Sequence, residues 1–144
     1  MSSEEVAAFL DEQRVVICAT NGRHGWPHLM PLWYLIRDGE LWAWTYEKSQ
    51  KVRNLERDPR ATLQVEDGEE YHELRGVMIE AQTVIHRDTE TVAEFGRQLL
   101  PHFDASADPD PMAVANGLYA SPNLHDPCYL CSPQSRFSSP TWAP

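Results

Sequence analysis

The residues best suited to chemistry in this chain are cations gathered in one short stretch. Both lysines and three of the arginines fall between Lys48 and Arg60, although the chain carries a formal net charge of -10. Such a charge disfavours binding to an extended polyanion such as a nucleic acid. We therefore expect the clustered cations to form a pocket for one small phosphorylated ligand.

The start of a predicted helix lies inside this basic stretch. A phosphate needs dense donors and positive charge, and the first turn of a helix supplies both through free N–H groups and the helix dipole. Ser49 is placed to cap a helix over residues 50–57, which the following Asp-Pro pair ends. Lys51 and Asn54 are three residues apart, so an ammonium and an amide can converge on one anion.

The same cations have a plainer interpretation, as a solvated helix face paired with Glu47, Glu56 and Asp58. The aromatic residues just before them favour a ligand instead. Four of the five tryptophans lie on the two predicted strands that precede the basic stretch, at Trp26, Trp33, Trp42 and Trp44. Aromatic strands leading to a cationic helix start suit a planar heterocycle with a phosphate tail, such as a flavin-like cofactor.

The elements around this stretch are predicted to be mainly β. A short helix is expected over residues 3–12 with Ser3 as its N-cap, and another over residues 88–100. Asp38-Gly39 is a strong hairpin signal between two strands. Alternating or β-branched runs predict strands over residues 14–20, 26–36, 41–45, 61–66 and 74–86.

Five or six strands joined by hairpins, with few helices, indicate a small barrel or a strongly curled sheet. The length fits one domain, which we place at residues 1–105. Eight of the eleven prolines follow residue 100. Residues 106–144 are therefore predicted to be a Pro/Ser-rich, partly irregular segment, with regular structure expected only at Cys128–Cys131.

Three runs of residues resemble a known family. They are Trp26-Pro-His-Leu-Met-Pro-Leu-Trp-Tyr, Asp38-Gly-Glu-Leu-Trp-Ala-Trp-Thr and Lys48-Ser-Gln-Lys-Val-Arg-Asn-Leu-Glu-Arg-Asp-Pro-Arg. The chain resembles the pyridoxamine 5′-phosphate oxidase-like split-barrel family, and most closely its actinobacterial branch of flavin/deazaflavin oxidoreductases that use coenzyme F-420. The resemblance covers about residues 3–100. It implies a split β-barrel homodimer with the cofactor in a groove at the subunit interface.

The resemblance also implies which residues bind the cofactor. The phosphate would be held by Ser49, Lys51 and Asn54, with Lys48 and Arg53 nearby. Arg57 and Arg60 would support the helix or the dimer. The ring would lie against the backbone of Pro31, Leu32 and Trp33, with a floor completed by Trp44 and Thr45.

The implied function is hydride transfer between F-420, or alternatively FMN, and a small organic acceptor. No catalytic side chain is assigned, although Tyr34 or Tyr46 could donate a proton. The chain departs from the family near residue 127, where prolines would remove ladder donors from a closing strand. An incomplete barrel, and with it a non-catalytic cofactor-binding or carrier protein, is therefore the alternative. A plain dimeric interaction module that uses the tryptophans is a third hypothesis.

Several other classes of protein do not fit the sequence. His125, Cys128 and Cys131 supply only three soft ligands, so we expect no metal. No serine elbow, phosphate loop or paired-glycine fingerprint is present. We find neither a secretory signal nor an apolar stretch of membrane-spanning length, so we expect no membrane partner and a cytoplasmic protein.

Overall fold

The computed structural model of the chain describes residues 1–99, 101, 127–131 and 136–138, with side chains only up to residue 101. This part of the chain has three helices: α1 (Ser3–Glu12), α2 (Gln50–Arg57) and α3 (Thr89–Leu99). No helix in it is long and apolar enough to span a bilayer. The strands are β1 (Val15–Asn21), β2 (Pro27–Arg37), β3 (Glu40–Tyr46), β4 (Arg60–Asp67), β5 (Arg75–Gln82), β6 (Val84–His86), β7 (Pro127–Cys131) and β8 (Arg136–Ser138).

The strands form one antiparallel sheet that curls into a barrel. Their spatial order is β6-β7-β3-β2-β1-β4-β5-β8. β5 and β6 lie near opposite ends of this order, yet only Thr83 separates them in the chain. The sheet must therefore bend round on itself. Thr83 marks the corner, where its backbone N–H and its hydroxyl both donate to the carbonyl of Pro59, at 2.8 and 2.9 Å. The single strand predicted over residues 74–86 is thus two strands.

The barrel is closed by β7, which pairs with β3 on one side and with β6 on the other. The closing strand that the prolines put in doubt is therefore present, and the predicted β-barrel is confirmed. Pro127 pairs with Tyr46 at the end of the β3 ladder, and the first residue of a strand is a position that tolerates proline. The sequence did not predict β8, which pairs with β5. The proposed domain boundary after residue 105 lies outside the described residues and stays a prediction.

The wall of the barrel splits along β2. Its residues from Pro27 to Trp33 pair with β1, whereas its pairing with β3 runs only from Tyr34 to Arg37. The predicted turn at Asp38-Gly39 is confirmed, since both residues have positive φ, 53° and 76°. Among the described residues, the ladder between β2 and β3 ends at the pair Tyr34–Ala43. The first half of β2 and the second half of β3 thus border a split.

Two apolar clusters stabilise the fold. The larger fills the barrel interior and includes Phe9 and Leu10 of α1. Ser2, not Ser3, caps α1, and it forms a capping box with Glu5. The smaller cluster lies outside the barrel, where the apolar face of α3 packs against alternate residues of β2 and β3, namely Trp33, Leu35, Trp42 and Trp44. The interior and exterior positions alternate along both strands, as expected for a barrel wall.

The outer face of β1 and of the first half of β2 is also apolar. Val15 is 45% exposed and Leu29 is 55% exposed. The register places Leu29 opposite Ala19, on the face away from the buried Cys18 and Leu32. Part of the barrel wall is therefore apolar on both faces.

The buried hydroxyl of Tyr34 gives a test of the packing between α1 and the barrel. It donates a 2.7 Å hydrogen bond to the carbonyl of Leu10. We expect Tyr34→Phe to lower the free energy of unfolding by about 1 to 3 kcal/mol, because a buried acceptor loses its donor. Urea denaturation measures this. Tyr71→Phe is the control, because Tyr71 is 80% exposed and should change stability little. Equal effects of the two variants would contradict the role given to Tyr34.

A second prediction concerns Cys18, which is fully buried in β1. Burial raises the pKa of its thiol from 9.0 to about 11, and the nearby charge of Lys51 offsets part of that rise. The unfolded chain then loses this proton at lower pH than the folded chain. The free energy of unfolding should therefore fall by roughly 2 kcal/mol as pH rises from 9 to 11. The Cys18→Ala variant should lack this part of the slope, and an unchanged slope would refute the assignment.

Candidate functional site

Lys51 is a buried cation on the inner face of α2. The chain leaves β3 at Tyr46 and turns directly into the helix, which Ser49 caps through a contact from the backbone N–H of Val52 at 3.5 Å. Val52 and Leu55 are buried and hold this face against the barrel. Lys51 is therefore carried inward, where its side chain is only 6% exposed and its Nζ donates to Thr45 Oγ1 at 2.8 Å.

Ser49 and Thr45 complete a small polar group around this ammonium. Their hydroxyl oxygens are 3.4 Å apart, which is long for a hydrogen bond between hydroxyls. We call Thr45, Ser49 and Lys51 the helix-start cluster. It joins two hydroxyls and an ammonium to the first turn of α2, whose free N–H groups point the same way. Three of the predicted binding residues are thus brought together.

Asn54 is fully buried one turn further along α2, but it contacts β1. Its Nδ2 donates to Thr20 Oγ1 at 3.0 Å, and its Oδ1 accepts from Gln50 Nε2 at 2.9 Å. Both ends of its amide therefore have protein partners. The sequence did not single out Thr20 or Gln50. The i, i+4 spacing of Gln50 and Asn54 could have shown that pair, whereas the bond to Thr20 depends on how α2 packs on the sheet.

The predicted ring-binding residues lie along the split in the barrel wall. Leu32 points into the interior and is buried, while Pro31 is exposed on the outer face. Trp33 on β2 and Trp44 on β3 pack against α3, on the side of the wall opposite Thr45. Their indoles therefore belong to the outer apolar cluster. The backbone of β2 and β3, and not the indole faces, is what these positions present to the split.

The remaining cations fall into two groups. Lys48 and Arg53 are exposed beside the helix start. Arg57 and Arg60 bind the protein itself, since Arg57 donates to the carbonyl of Asn21 and Arg60 makes a bidentate pair with Asp58 at 3.0 and 2.8 Å. The hydrogen bonds from Arg60 hold the pKa of Asp58 well below its ordinary value. These two arginines fasten the end of α2, which is one of the two roles, in the helix or in the dimer, that the resemblance implies for them.

The two tyrosines named as proton donors differ in placement. Tyr34 is buried and its hydroxyl donates a hydrogen bond to the carbonyl of Leu10, and burial raises its pKa above the ordinary value. It therefore serves the fold. Tyr46 is 54% exposed and lies at the end of β3, one residue after Thr45. Of the two, only Tyr46 is accessible to a ligand.

Several clefts lie on the surface of the described part of the chain. One, of about 980 Å³, is lined by β1, β4 and β5 and includes Thr20. Another, of about 810 Å³, lies between α2 and the turn joining β1 to β2. Neither Ser49 nor Lys51 lines these clefts or the third, acidic one. No group of three metal-ligating side chains occurs among the described residues, and His125 and the thiols of Cys128 and Cys131 lie outside them.

Comparison with solved structures shows what the chain is similar to. A conserved hypothetical protein from Mycobacterium tuberculosis is 30% identical, with a TM-score of 0.73 over 96% of this chain and 85% of the other. The heme storage protein of Vibrio cholerae is 17% identical, with a TM-score of 0.72 over 95% and 93%. A FAD-binding protein of Mesorhizobium loti is 18% identical, with a TM-score of 0.62 over 96% of each chain. The last two similarities show the fold alone.

Sequence comparison points to the same fold. No curated protein matches the chain significantly. The family profile described as pyridoxamine 5′-phosphate oxidase matches residues 2–119, which include β1 to β6 and all three helices. This match covers most of the chain, and the structure has the barrel that splits along β2 and the cationic helix start beside the split. The chain therefore belongs to the pyridoxamine 5′-phosphate oxidase-like split-barrel family.

Proposed function

We propose that this protein binds the phosphate of a flavin-type cofactor at the helix-start cluster and transfers a hydride between that cofactor and a small organic acceptor. F-420 is the cofactor we expect, with FMN as the alternative. One observation carries the proposal: the Lys51 ammonium and the Ser49 hydroxyl both contact Thr45 Oγ1 at the first turn of α2, beside the split in the barrel wall. A FAD-binding protein among the similar structures supports a flavin-type ligand.

The donor set of the helix-start cluster fits a phosphate. The contacts of Ser49 Oγ to Thr45 and to the N–H of Val52 are 3.4 and 3.5 Å long, so shorter charge-assisted bonds could replace them. The helix dipole adds positive potential at this end of α2. Lys48 and Arg53 extend that potential outward, while Asn54 stiffens the helix through its bonds to Thr20 and Gln50.

The split offers a place for the ring. Because the β2–β3 ladder ends at Tyr34 and Ala43, the backbone of Pro31, Leu32 and Trp33 can face a planar ligand across from Trp44 and Thr45. Backbone groups at a sheet edge donate and accept without side-chain rearrangement. Trp33 and Trp44, one on each side of the split, both pack against the apolar face of α3.

The bound cofactor would supply the hydride chemistry. This chain would hold the phosphate, orient the ring in the split and keep water from the reacting face. Tyr46 is the residue we propose as a proton donor, because it is exposed next to the helix-start cluster. Tyr34 is not proposed, since its hydroxyl is committed to Leu10.

A non-catalytic role is the second candidate. One similar structure is named as a heme storage protein and another as a FAD-binding protein, so this fold serves to hold ligands. Here the protein would bind or carry a flavin or deazaflavin without turning it over. Tight cofactor binding with no reduction of any acceptor in a broad panel would favour this alternative.

We also propose that the protein is a homodimer. The outer face of β1 and of the first half of β2 exposes Val15 and Leu29, and a sheet face of this kind is stabilised when a second copy covers it. Pro31 lies on the same face, directly opposite Ile17. The split and the uncovered face therefore meet, which suits a cofactor groove shared between subunits.

Lys51 provides the main test of cofactor binding. We expect Lys51→Met to weaken binding of F-420 or FMN by about 1.5 to 3 kcal/mol, because a charge-assisted hydrogen bond to the phosphate is lost. Methionine keeps most of the buried volume. Titration with each cofactor, followed by fluorescence quenching, gives the affinities, and far-UV circular dichroism checks that the variant folds.

The matched control is Lys48→Met, which removes the same charge from an exposed position three residues away. It should weaken binding by less than about 1 kcal/mol. Tighter binding of F-420 than of FMN by the unaltered protein would support the preferred cofactor. If neither cofactor binds, or if the two lysine variants lose affinity equally, the helix-start cluster is not the phosphate site.

Leu29 tests the dimer. A charge at the centre of an apolar interface is left without water or a partner, so Leu29→Glu should convert the dimer to a monomer. Sedimentation equilibrium of both proteins at the same concentration measures the change. Tyr71→Glu, at an exposed loop residue, should leave the mass unchanged. A monomeric unaltered protein would end the homodimer proposal without touching the cofactor proposal.

A further inference from the structure

Asn21, the last residue of β1, fastens the end of α2 to the barrel. Its Nδ2 donates to Asp58 Oδ2 at 2.9 Å, and its backbone carbonyl accepts from Arg57. Asp58 in turn makes a bidentate pair with Arg60. Asn21 therefore joins the first strand to the C-terminal end of the helix, at the opposite end from Ser49.

The residue that follows Asn21 has to be a glycine. A Cβ atom on Gly22 would lie 2.2 Å from the backbone carbonyl oxygen of Trp26, which is far inside van der Waals contact. Glycine also leaves its own backbone nitrogen unhindered, so an asparagine followed by glycine is the pair most prone to lose its side-chain amide. The fold thus keeps a chemically labile pair at an exposed position.

Hydrogen bonds hold this pair in an unreactive form. The Gly22 N–H donates to the carbonyl of Trp26 at 3.1 Å, and the side-chain amide of Asn21 is bound to Asp58. Asn21 also pairs with Pro27 across the turn between β1 and β2. The Gly22 nitrogen can reach the side chain of Asn21 only when this turn opens, and such local opening occurs in folded proteins.

We infer that Asn21 is a deamidation site, and that its conversion to an acid releases the end of α2 from β1. When the turn opens, the Gly22 nitrogen attacks Cγ of Asn21 and forms a cyclic imide. The Cγ–Nδ2 bond breaks, and ammonia leaves with the proton that the Gly22 amide has lost. Water, the only co-reactant, then adds to either carbonyl of the ring and gives aspartate or iso-aspartate.

The product reverses the sense of the contact with Asp58. An amide that donated a hydrogen bond becomes a carboxylate, so two negative groups meet where a hydrogen bond was. The neighbouring guanidinium groups are already engaged, Arg60 with Asp58 and Arg57 with the backbone carbonyl of residue 21. Iso-aspartate also lengthens the backbone, which disturbs the pair with Pro27. The inference does not depend on the proposed redox function, because none of these residues belongs to the helix-start cluster.

Peptide mapping by mass spectrometry tests the chemistry. The full chain is incubated at mildly alkaline pH, folded or in urea, and the peptide that contains Asn21 should gain the mass of an amide-to-acid conversion in both. The folded protein should react at least about tenfold more slowly, because the turn must open first. Asn54, which is buried and followed by leucine, is the internal control and should stay unchanged in the folded protein. Equal rates in the two states, or no conversion at Asn21 in the folded protein, would overturn the inference.

Substitutions test the consequence for α2. Asn21→Asp should lower the Tm by about 3 to 6 °C, through repulsion between two carboxylates. Asn21→Ala is the matched control, because it removes the hydrogen bond without adding a charge, and its Tm should fall less. Adding Asp58→Asn to Asn21→Asp should recover part of the loss, because an amide then faces a carboxylate again. An equal or higher Tm for Asn21→Asp than for Asn21→Ala, or no recovery in the double variant, would refute the inferred release of α2.

Discussion

The structure depends on a corner at Thr83. The strands β5 and β6 are adjacent in sequence but lie near opposite ends of the sheet order. The sheet can connect them through Thr83 only if it curves into a barrel. The two hydrogen bonds from Thr83 to Pro59 fix the corner next to the end of α2. Once the barrel is closed, every strand has an inner and an outer face. The position of each candidate binding residue follows from that division.

Burying Lys51 is the other constraint. An ammonium loses favourable hydration when it leaves water, so the fold must provide it with polar contacts. The hydroxyl of Thr45 makes one of these contacts with Lys51. The positive charge of Lys51 also acts inside the barrel. It lowers the pKa of the Cys18 thiol, whereas burial raises that pKa by a larger amount. A fixed positive charge at a helix start, held by packing on both sides, needs little rearrangement to accept an anion.

Local sequence signals predicted the elements well but not their continuity. Ser49 as a cap, the Asp58 end of α2 and the turn at Asp38 are set by neighbouring residues, and the structure has all three. The change of direction at Thr83 could not be predicted in this way, because the strand period continues across it. The partner of Asn54 depends on contacts between distant residues, as does the outward packing of three of the tryptophans. Composition predicts aromatic strands, but only the closed barrel decides which face of the wall they occupy.

The closing strand β7 has a consequence for biosynthesis. It fits between β3 and β6, but it follows both of them in the chain by a long segment. During translation, the edges of β3 and β6 must therefore wait without their final neighbour until Pro127–Cys131 has been made. Open strand edges pair readily with other chains. A polypeptide interrupted before Pro127 should thus be a target for chaperones or for edge-to-edge aggregation, even though it already contains every core residue that the structure describes.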